Sequence, residues 1–79
     1  MIYPNPTDMF VNISFSNIES QDIKIRLISV IGVTIFTHEL KSHLGNYSKK
    51  INLENQPKGI YFLEIETSMS TINEKIILN

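Results

Sequence analysis

The apolar composition of this chain is its strongest constraint on the fold, because 14 of its 79 residues are isoleucine and none is alanine. Alanine is the best helix former, whereas isoleucine is restricted at χ1 and fits a pleated, half-buried surface. Eight asparagines and eight serines add residues that favour turns. The composition therefore predicts an all-β fold, and the length allows one domain over residues 1–79.

Strands are marked by apolar residues that alternate with polar ones, which is the pattern of a half-buried strand. In segment 22–28, Ile23, Ile25 and Leu27 are predicted to face the core, while the basic residues between them face water. The segments predicted to be strands are Met9–Phe15, Asp22–Ile28, Val33–Leu40, Tyr47–Leu53, Ile60–Thr67 and Thr71–Leu78. Six or seven short strands at this spacing are typical of a small antiparallel sandwich or barrel.

The connections between these segments carry turn-forming residues. Gly32 supplies the positive φ that tight turns often need, so the segments on either side of it are predicted to form a hairpin. Segments 16–21 and 41–46 are mostly polar and are predicted to be loops. Pro57 and Gly59 predict a fixed turn immediately before the strand that begins at residue 60.

Composition also excludes several classes of function. Cysteine is absent, which rules out disulfides, thiolate catalysis and zinc–thiolate sites. The net charge is −1, whereas a nucleic-acid partner calls for a basic excess or stripe. No apolar run approaches the ~20 residues of a membrane-spanning helix, and the first residues lack the features of a signal peptide.

The two histidines are the first candidates for a chemical site. His38 and His43 flank a polar segment, and Glu39 is the one acidic residue close to them in sequence. A metal ion needs more ligands than this pattern offers. We therefore predict surface histidines, no metal site and no cofactor.

Paired carboxylates at Glu64 and Glu66 are the second candidate. A general acid–base pair needs two opposed carboxylates in different environments, whereas these two lie on the same face of one predicted strand. We predict that they face water opposite Lys24 and Arg26 of a neighbouring strand. With no other cluster of reactive residues, the sequence predicts that the protein is not an enzyme.

The order of several short segments is more specific than any one of them. The segments are Tyr3-Pro4-Asn5-Pro6, Ile25–Ile28 leading to Gly32-Val33, Leu53, Pro57-Lys58-Gly59-Ile60-Tyr61 and Lys75-Ile76-Ile77-Leu78. Together they resemble the type A C-terminal sorting domain of the type IX, or Por, secretion system of Bacteroidetes. The resemblance covers residues 3–79, which is essentially the whole chain.

The resemblance implies an immunoglobulin-like antiparallel β-sandwich with no catalytic role. Such domains lie at the C-terminus of larger secreted proteins, which here would supply an upstream cargo domain. The outer-membrane translocon recognises the domain in the periplasm, and a cell-surface sortase often removes it. The cargo is then released or attached at the cell surface, so the chain is expected to be a piece of a longer protein.

A signal shared by many cargoes must be read through turn geometry and strand edges, because these depend little on cargo sequence. We therefore predict that the turn after Pro57 and the last strand form the recognition surface. The predicted recognition residues are Pro57, Gly59, Tyr61, Lys75, Ile76, Ile77 and Leu78. The alternative, that these residues only build the fold, stays open for Tyr61, Ile76 and Leu78, and it is favoured for Gly59, which a tight turn alone explains. An accessible last strand also makes an edge-to-edge dimer of the isolated domain an expectation.

A second function remains open on the sequence, namely a carbohydrate- or protein-binding β-sandwich module of a secreted enzyme. Such modules usually present a row of exposed aromatic side chains on one face. Phe10, Phe36 and Phe62 are the candidates here, and tryptophan, the usual sugar platform, is missing.

Overall fold

A computed structural model describes residues 2–4 and 8–79, apart from the side chain of Ile18. Its strands are β1 (Ile2–Tyr3), β2 (Phe10–Ser29), β3 (Thr34–Asn52), β4 (Gly59–Thr67) and β5 (Thr71–Leu78). The all-β prediction is confirmed. Of the Pro-Asn-Pro sequence near the start, Asn5 and Pro6 lie outside the described residues. The described ranges contain no helix that is long and apolar enough to cross a membrane.

The described strands form one strongly curled antiparallel sheet. Strand β2 is central and pairs with β1, β3 and β4, and β4 pairs in turn with β5. The hairpin predicted around Gly32 is confirmed, since this glycine has φ of +88° and joins β2 to β3. The Ser29 amide donates to the Val33 carbonyl at 2.8 Å and closes a three-residue loop.

All six predicted strand segments lie in the sheet, apart from their terminal residues Met9, Val33 and Leu53, but two connections were predicted wrongly. Segments 16–21 and 41–46, predicted as loops, continue as strand in β2 and β3. Their backbones pair with each other, as in Ser16 with Asn46 and Gln21 with His43, so polar side chains do not break the ladder. The shifts in register there place extra residues in β2 and β3.

Strand β2 has 20 residues and is too long to be straight. A strand advances ~3.3 Å per residue, so β2 would span ~66 Å, whereas the described molecule measures 36 Å along its longest axis. Strand β3 folds back in the same way, because the His38 ring and the Tyr47 hydroxyl lie 2.9 Å apart. The positive φ angles of Ser42 (49°) and Gly45 (90°) lie between these two residues.

The bends divide the curled sheet into two halves. The first half contains β1, residues 10–17 and residues 45–52, and the second contains residues 21–29, residues 34–43, β4 and β5. The separate facing sheets of a sandwich are not shown, because β2 and β3 run through both halves without a break. One hydrophobic core joins both halves and includes Val11, Ile13, Tyr47, Ile51, Ile25, Leu27, Leu63 and Ile76.

The predicted inward faces are largely confirmed. Ile23, Ile25 and Leu27 of β2 are at most 2% exposed. Tyr61, Leu63 and Ile65 of β4, also predicted to face inward, are buried. The alternation along each strand thus decides which residues are left to form a surface.

Candidate functional site

The two segments predicted to form a recognition surface lie side by side in the structure. Strands β4 and β5 pair antiparallel, with Gly59 opposite Leu78 and Tyr61 opposite Ile76. The Pro57–Gly59 turn therefore stands beside the last residues of β5. The turn and the end of β5 are distant in sequence, and the antiparallel register of the β4–β5 hairpin brings them together.

Alternation divides the predicted residues between the core and the surface. The buried residues are Tyr61, Ile76 and Leu78, at 3%, 0% and 3% exposed. Lys75 and Ile77 alternate with Ile76 and Leu78 along β5 and lie on the outer face, where both are exposed. The side chains of Tyr61, Ile76 and Leu78 are consequently part of the hydrophobic core.

The turn before β4 is held by a hydrogen bond from a core residue. The Tyr61 hydroxyl donates to the carbonyl oxygen of Pro57. Gly59 has φ of +145°, a conformation that glycine adopts readily and other residues rarely do. Pro57 itself is exposed, with its own φ fixed by its ring. The turn is therefore rigid, and its outer surface is open to solvent.

Sequence reasoning missed several exposed apolar residues around this turn. Ser29 pairs with Tyr61, which places the Gly32 hairpin loop at the same end of the sheet. The missed residues are Val30, Ile31, Val33 and Ile60; together with Phe62 and the predicted Ile77 they form a surface that we call the apolar end, and the six are between 36% and 82% exposed. Turns are usually built from polar residues and glycine, so the apolar Val30-Ile31 pair in a predicted turn was the signal that could have identified this surface.

The opposite end of the same outer face is charged, as predicted for the paired carboxylates. Arg26 is paired with Glu64 and Lys24 with Glu66 across β2 and β4. The Arg26 Nε donates to Glu64 at 3.1 Å, and a second guanidinium nitrogen binds the same carboxylate oxygen. Lys24 also lies 3.9 Å from Glu39. Each carboxylate is thus paired across the strands with a basic residue on the outer face, and the two are not opposed to each other as an acid–base pair would be.

The histidines belong to an aromatic cluster at the bend of β3. His38 is exposed and shares a hydrogen bond with the Tyr47 hydroxyl, while the half-buried His43 contacts the rings of Phe15 and Tyr47 edge-on. Burial raises the pKa of Tyr47 above its usual value of 10. Among the described residues no group of three or more His, Cys, Asp or Glu is placed to hold a metal ion.

The aromatic residues that a sugar-binding face would use do not share one face. Phe36 pairs with the buried Leu27 and packs against the core, whereas Phe62 lies on the outer face. Phe10 lies in the other half of the sheet, where the Lys50 ammonium sits 4.1 Å from its ring centre. A flat row of exposed rings is therefore not formed by these three phenylalanines.

A comparison with curated proteins returned no match. A family model described as the secretion system C-terminal sorting domain matches residues 1–79, the whole chain. This match implies a secreted or cell-surface destination. The chain belongs to the family of secretion system C-terminal sorting domains and is a non-catalytic sorting signal of the type IX secretion system.

Proposed function

We propose that the outer-membrane translocon of the type IX secretion system reads this domain at the open end of the β4–β5 pair. The observation that supports this proposal is the register that sets Gly59 opposite Leu78. It makes one continuous surface of two segments that are distant in sequence. A surface built from a rigid turn and a paired strand is independent of cargo sequence, as a shared address requires.

The predicted recognition residues act in two ways in this proposal. Four are exposed and present groups to the translocon: Pro57, Gly59, Lys75 and Ile77. Three are buried and hold the turn and β5 in register: Tyr61, Ile76 and Leu78. Replacement of the buried residues would therefore disturb the signal through the fold, whereas replacement of the exposed residues would alter the surface directly.

We also propose that residues 1–79 form the C-terminal domain of a larger secreted protein, with the cargo upstream. The description of the family as a C-terminal sorting domain supports this arrangement. In this proposal the protein crosses the periplasm, passes the translocon and meets a cell-surface sortase that removes the domain. The cargo is then released or retained at the cell surface.

The finer architecture that we propose is an immunoglobulin-like sandwich in which the two halves of the curled sheet act as its two layers. Contacts across the fold support it, because the Lys49 ammonium lies 5.9 Å from the ring centre of Phe36, in the other half of β3. Residues of both halves share one core, as the facing layers of a sandwich do.

The proposal is tested by deleting Lys75–Asn79 from a reporter cargo fused to this domain in a bacterium with a type IX system. We expect the truncated fusion to accumulate in the periplasm, measured by cell fractionation. The deletion also removes the buried Ile76 and Leu78, so a surface variant must accompany it.

Ile77→Ser supplies that variant, with Ile72→Ser as its matched control. Both isoleucines lie on β5 and are partly exposed, at 36% and 49%, but Ile72 lies on the other side of the strand, paired with the buried Ile65 and away from the Gly59 turn. We expect Ile77→Ser to reduce export while Ile72→Ser is exported like the parent, with both domains folded by circular dichroism. Normal surface delivery of both the truncated fusion and Ile77→Ser would overturn the proposal.

A further inference from the structure

We infer that the Gly32 hairpin loop and the Pro57–Gly59 turn form the two walls of an apolar cleft that receives an apolar side chain from an extended segment of the translocon. This inference rests on the proposed function and names a further part of the same surface. It assigns a binding role to Val30, Ile31 and Val33, which lie outside the two segments considered so far.

The geometry of the cleft supports the inference. Ser29 pairs with Tyr61, so the hairpin loop lies beside the turn that precedes β4. Between them lies a cleft of about 290 Å³, lined by the loop on one side and by residues 56–61 on the other. Ligand pockets usually have ~300–1,000 Å³. A cleft at the lower limit suits one or two side chains better than a cofactor.

The exposure of the loop is unusual for a tight turn. Ile31 is 82% exposed and Val30 is 64% exposed, and Val33 just beyond the loop is 52% exposed. Clustered apolar side chains on a small domain are typical of interaction surfaces, because water disfavours them until a partner covers them. Binding of a partner in the cleft would therefore remove these apolar side chains from water.

The loop is also fixed before any partner arrives. The Gly32 amide donates to the Ser29 carbonyl at 2.9 Å, and the Val33 amide donates to the Ser29 hydroxyl at 3.1 Å. A preorganised loop loses little conformational entropy on binding, which raises affinity for a given contact area. The apolar wall is thus a rigid feature of the folded domain.

The charge of the cleft lining and the position of the cleft beside the proposed recognition surface indicate which kind of segment would bind there. Among the described residues that line the cleft, Lys58 carries the one charge, so a segment with an acidic residue beside its apolar side chain fits best. The cleft continues into the proposed recognition surface, since Ile60 of its lining pairs with Ile77 of β5. The same translocon protein that reads β5 would therefore reach the cleft.

The test compares Ile31→Ser with Met69→Ser in the reporter fusion and in binding to the purified translocon complex. Ile31 and Met69 are both 82% exposed, but Met69 lies in the turn between β4 and β5, at the other end of these strands. We expect Ile31→Ser to weaken binding about tenfold, as loss of a central interface residue does, and to lower export. Met69→Ser should match the parent, and Ile31→Leu should restore binding.

Lys58→Glu tests the charge of the occupant. We expect weaker binding for this variant at low salt and a smaller difference from the parent at high salt, where charges are screened. Equal binding of Lys58→Glu and the parent at low salt would overturn the acidic occupant.

Three further outcomes are decisive. Export and binding of Ile31→Ser equal to those of Met69→Ser, while the Lys75–Asn79 deletion still traps the cargo, would overturn the cleft and leave the proposed function intact. Normal export of every variant and of the deletion would overturn both. If the isolated chain dimerises, and Ile31→Ser makes it monomeric without changing export, the occupant is a second copy and the inference is wrong.

Discussion

At the scale of single residues, Tyr61 connects the core to the proposed recognition surface. Its ring is 3% exposed, yet its hydroxyl reaches the carbonyl of Pro57 in the turn outside. An amphipathic side chain is suited to this position, because its apolar body packs inside while its polar tip binds at the boundary. In the proposed mode of recognition, the residue therefore acts by holding the turn and needs no contact with the translocon.

Tyr61→Phe is predicted to lower the free energy of unfolding by about 1 kcal/mol, because it leaves the Pro57 carbonyl without its intramolecular donor. Tyr47→Phe is the matched control, since its hydroxyl bonds the side chain of His38 and does not hold a backbone turn. Urea unfolding measures both. We also expect faster proteolysis within residues 54–58 in Tyr61→Phe, and equal stability of this variant and the parent would contradict the prediction.

At the scale of strands, the outer face of β2 and β4 has a charged end and an apolar end. Lys24, Arg26, Glu64 and Glu66 occupy one end, and Phe62 and Ile60 continue β4 toward the other. Cross-strand pairs of opposite charge favour the observed register, because a one-residue slip would turn them toward the core. The charges thus favour a register that also places the apolar residues together.

The Arg26–Glu64 pair is predicted to contribute less than about 1 kcal/mol of coupling, because it is partly exposed to solvent. A double-mutant cycle with Arg26→Met and Glu64→Gln in chemical denaturation measures this coupling. It should shrink at high salt, as expected for a solvent-screened pair. A coupling of several kcal/mol, unchanged by salt, would indicate instead that the pair is effectively buried.

Much of each strand could be predicted from the sequence, because a period of two directly reports which residues face the core. The faces of Asp22–Ile28 and of Ile60–Thr67 follow from this period alone. Segments 16–21 and 41–46 were predicted wrongly because their state depends on pairing with each other, and local composition does not report a partner that is distant in sequence. The curl of the sheet was missed for the same reason.

The candidate site could be predicted only in part. The turn after Pro57 and the last strand were identified from the sequence, and the structure sets them side by side. The contribution of the Gly32 loop was missed, because Val30 and Ile31 continue an apolar run and are expected to be buried on hydropathy alone. Their exposure follows from the tightness of the loop, which leaves them no layer to pack against.

At the scale of the whole molecule, one core serves both halves of the sheet. A domain of this length buries only ~60–65% of the surface of its unfolded chain and has a small margin of stability. Neither half has an apolar layer of its own, since residues such as Ile13 and Ile76 belong to the same core. The halves are therefore expected to unfold together, in a single transition.

Matched Ile→Val substitutions in the two halves test this cooperativity. Ile13 lies in the first half and Ile76 in the second, both are fully buried, and each replacement should lower the free energy of unfolding by about 1 kcal/mol. If the core is shared, Ile13→Val lowers the hydrogen-exchange protection of the most protected amides in β4 and β5 as much as Ile76→Val does.

Loss of protection confined to the first half in Ile13→Val would show instead that the second half folds independently. The two outcomes differ in how much of the domain must be folded for the proposed recognition surface to exist. With a shared core, the surface beside Gly59 and Leu78 exists only when the first half is also folded, because its buried residues are held from both sides. The sorting signal would then be present only when the entire domain is folded, so a misfolded copy would lack the surface that the translocon recognises in this proposal.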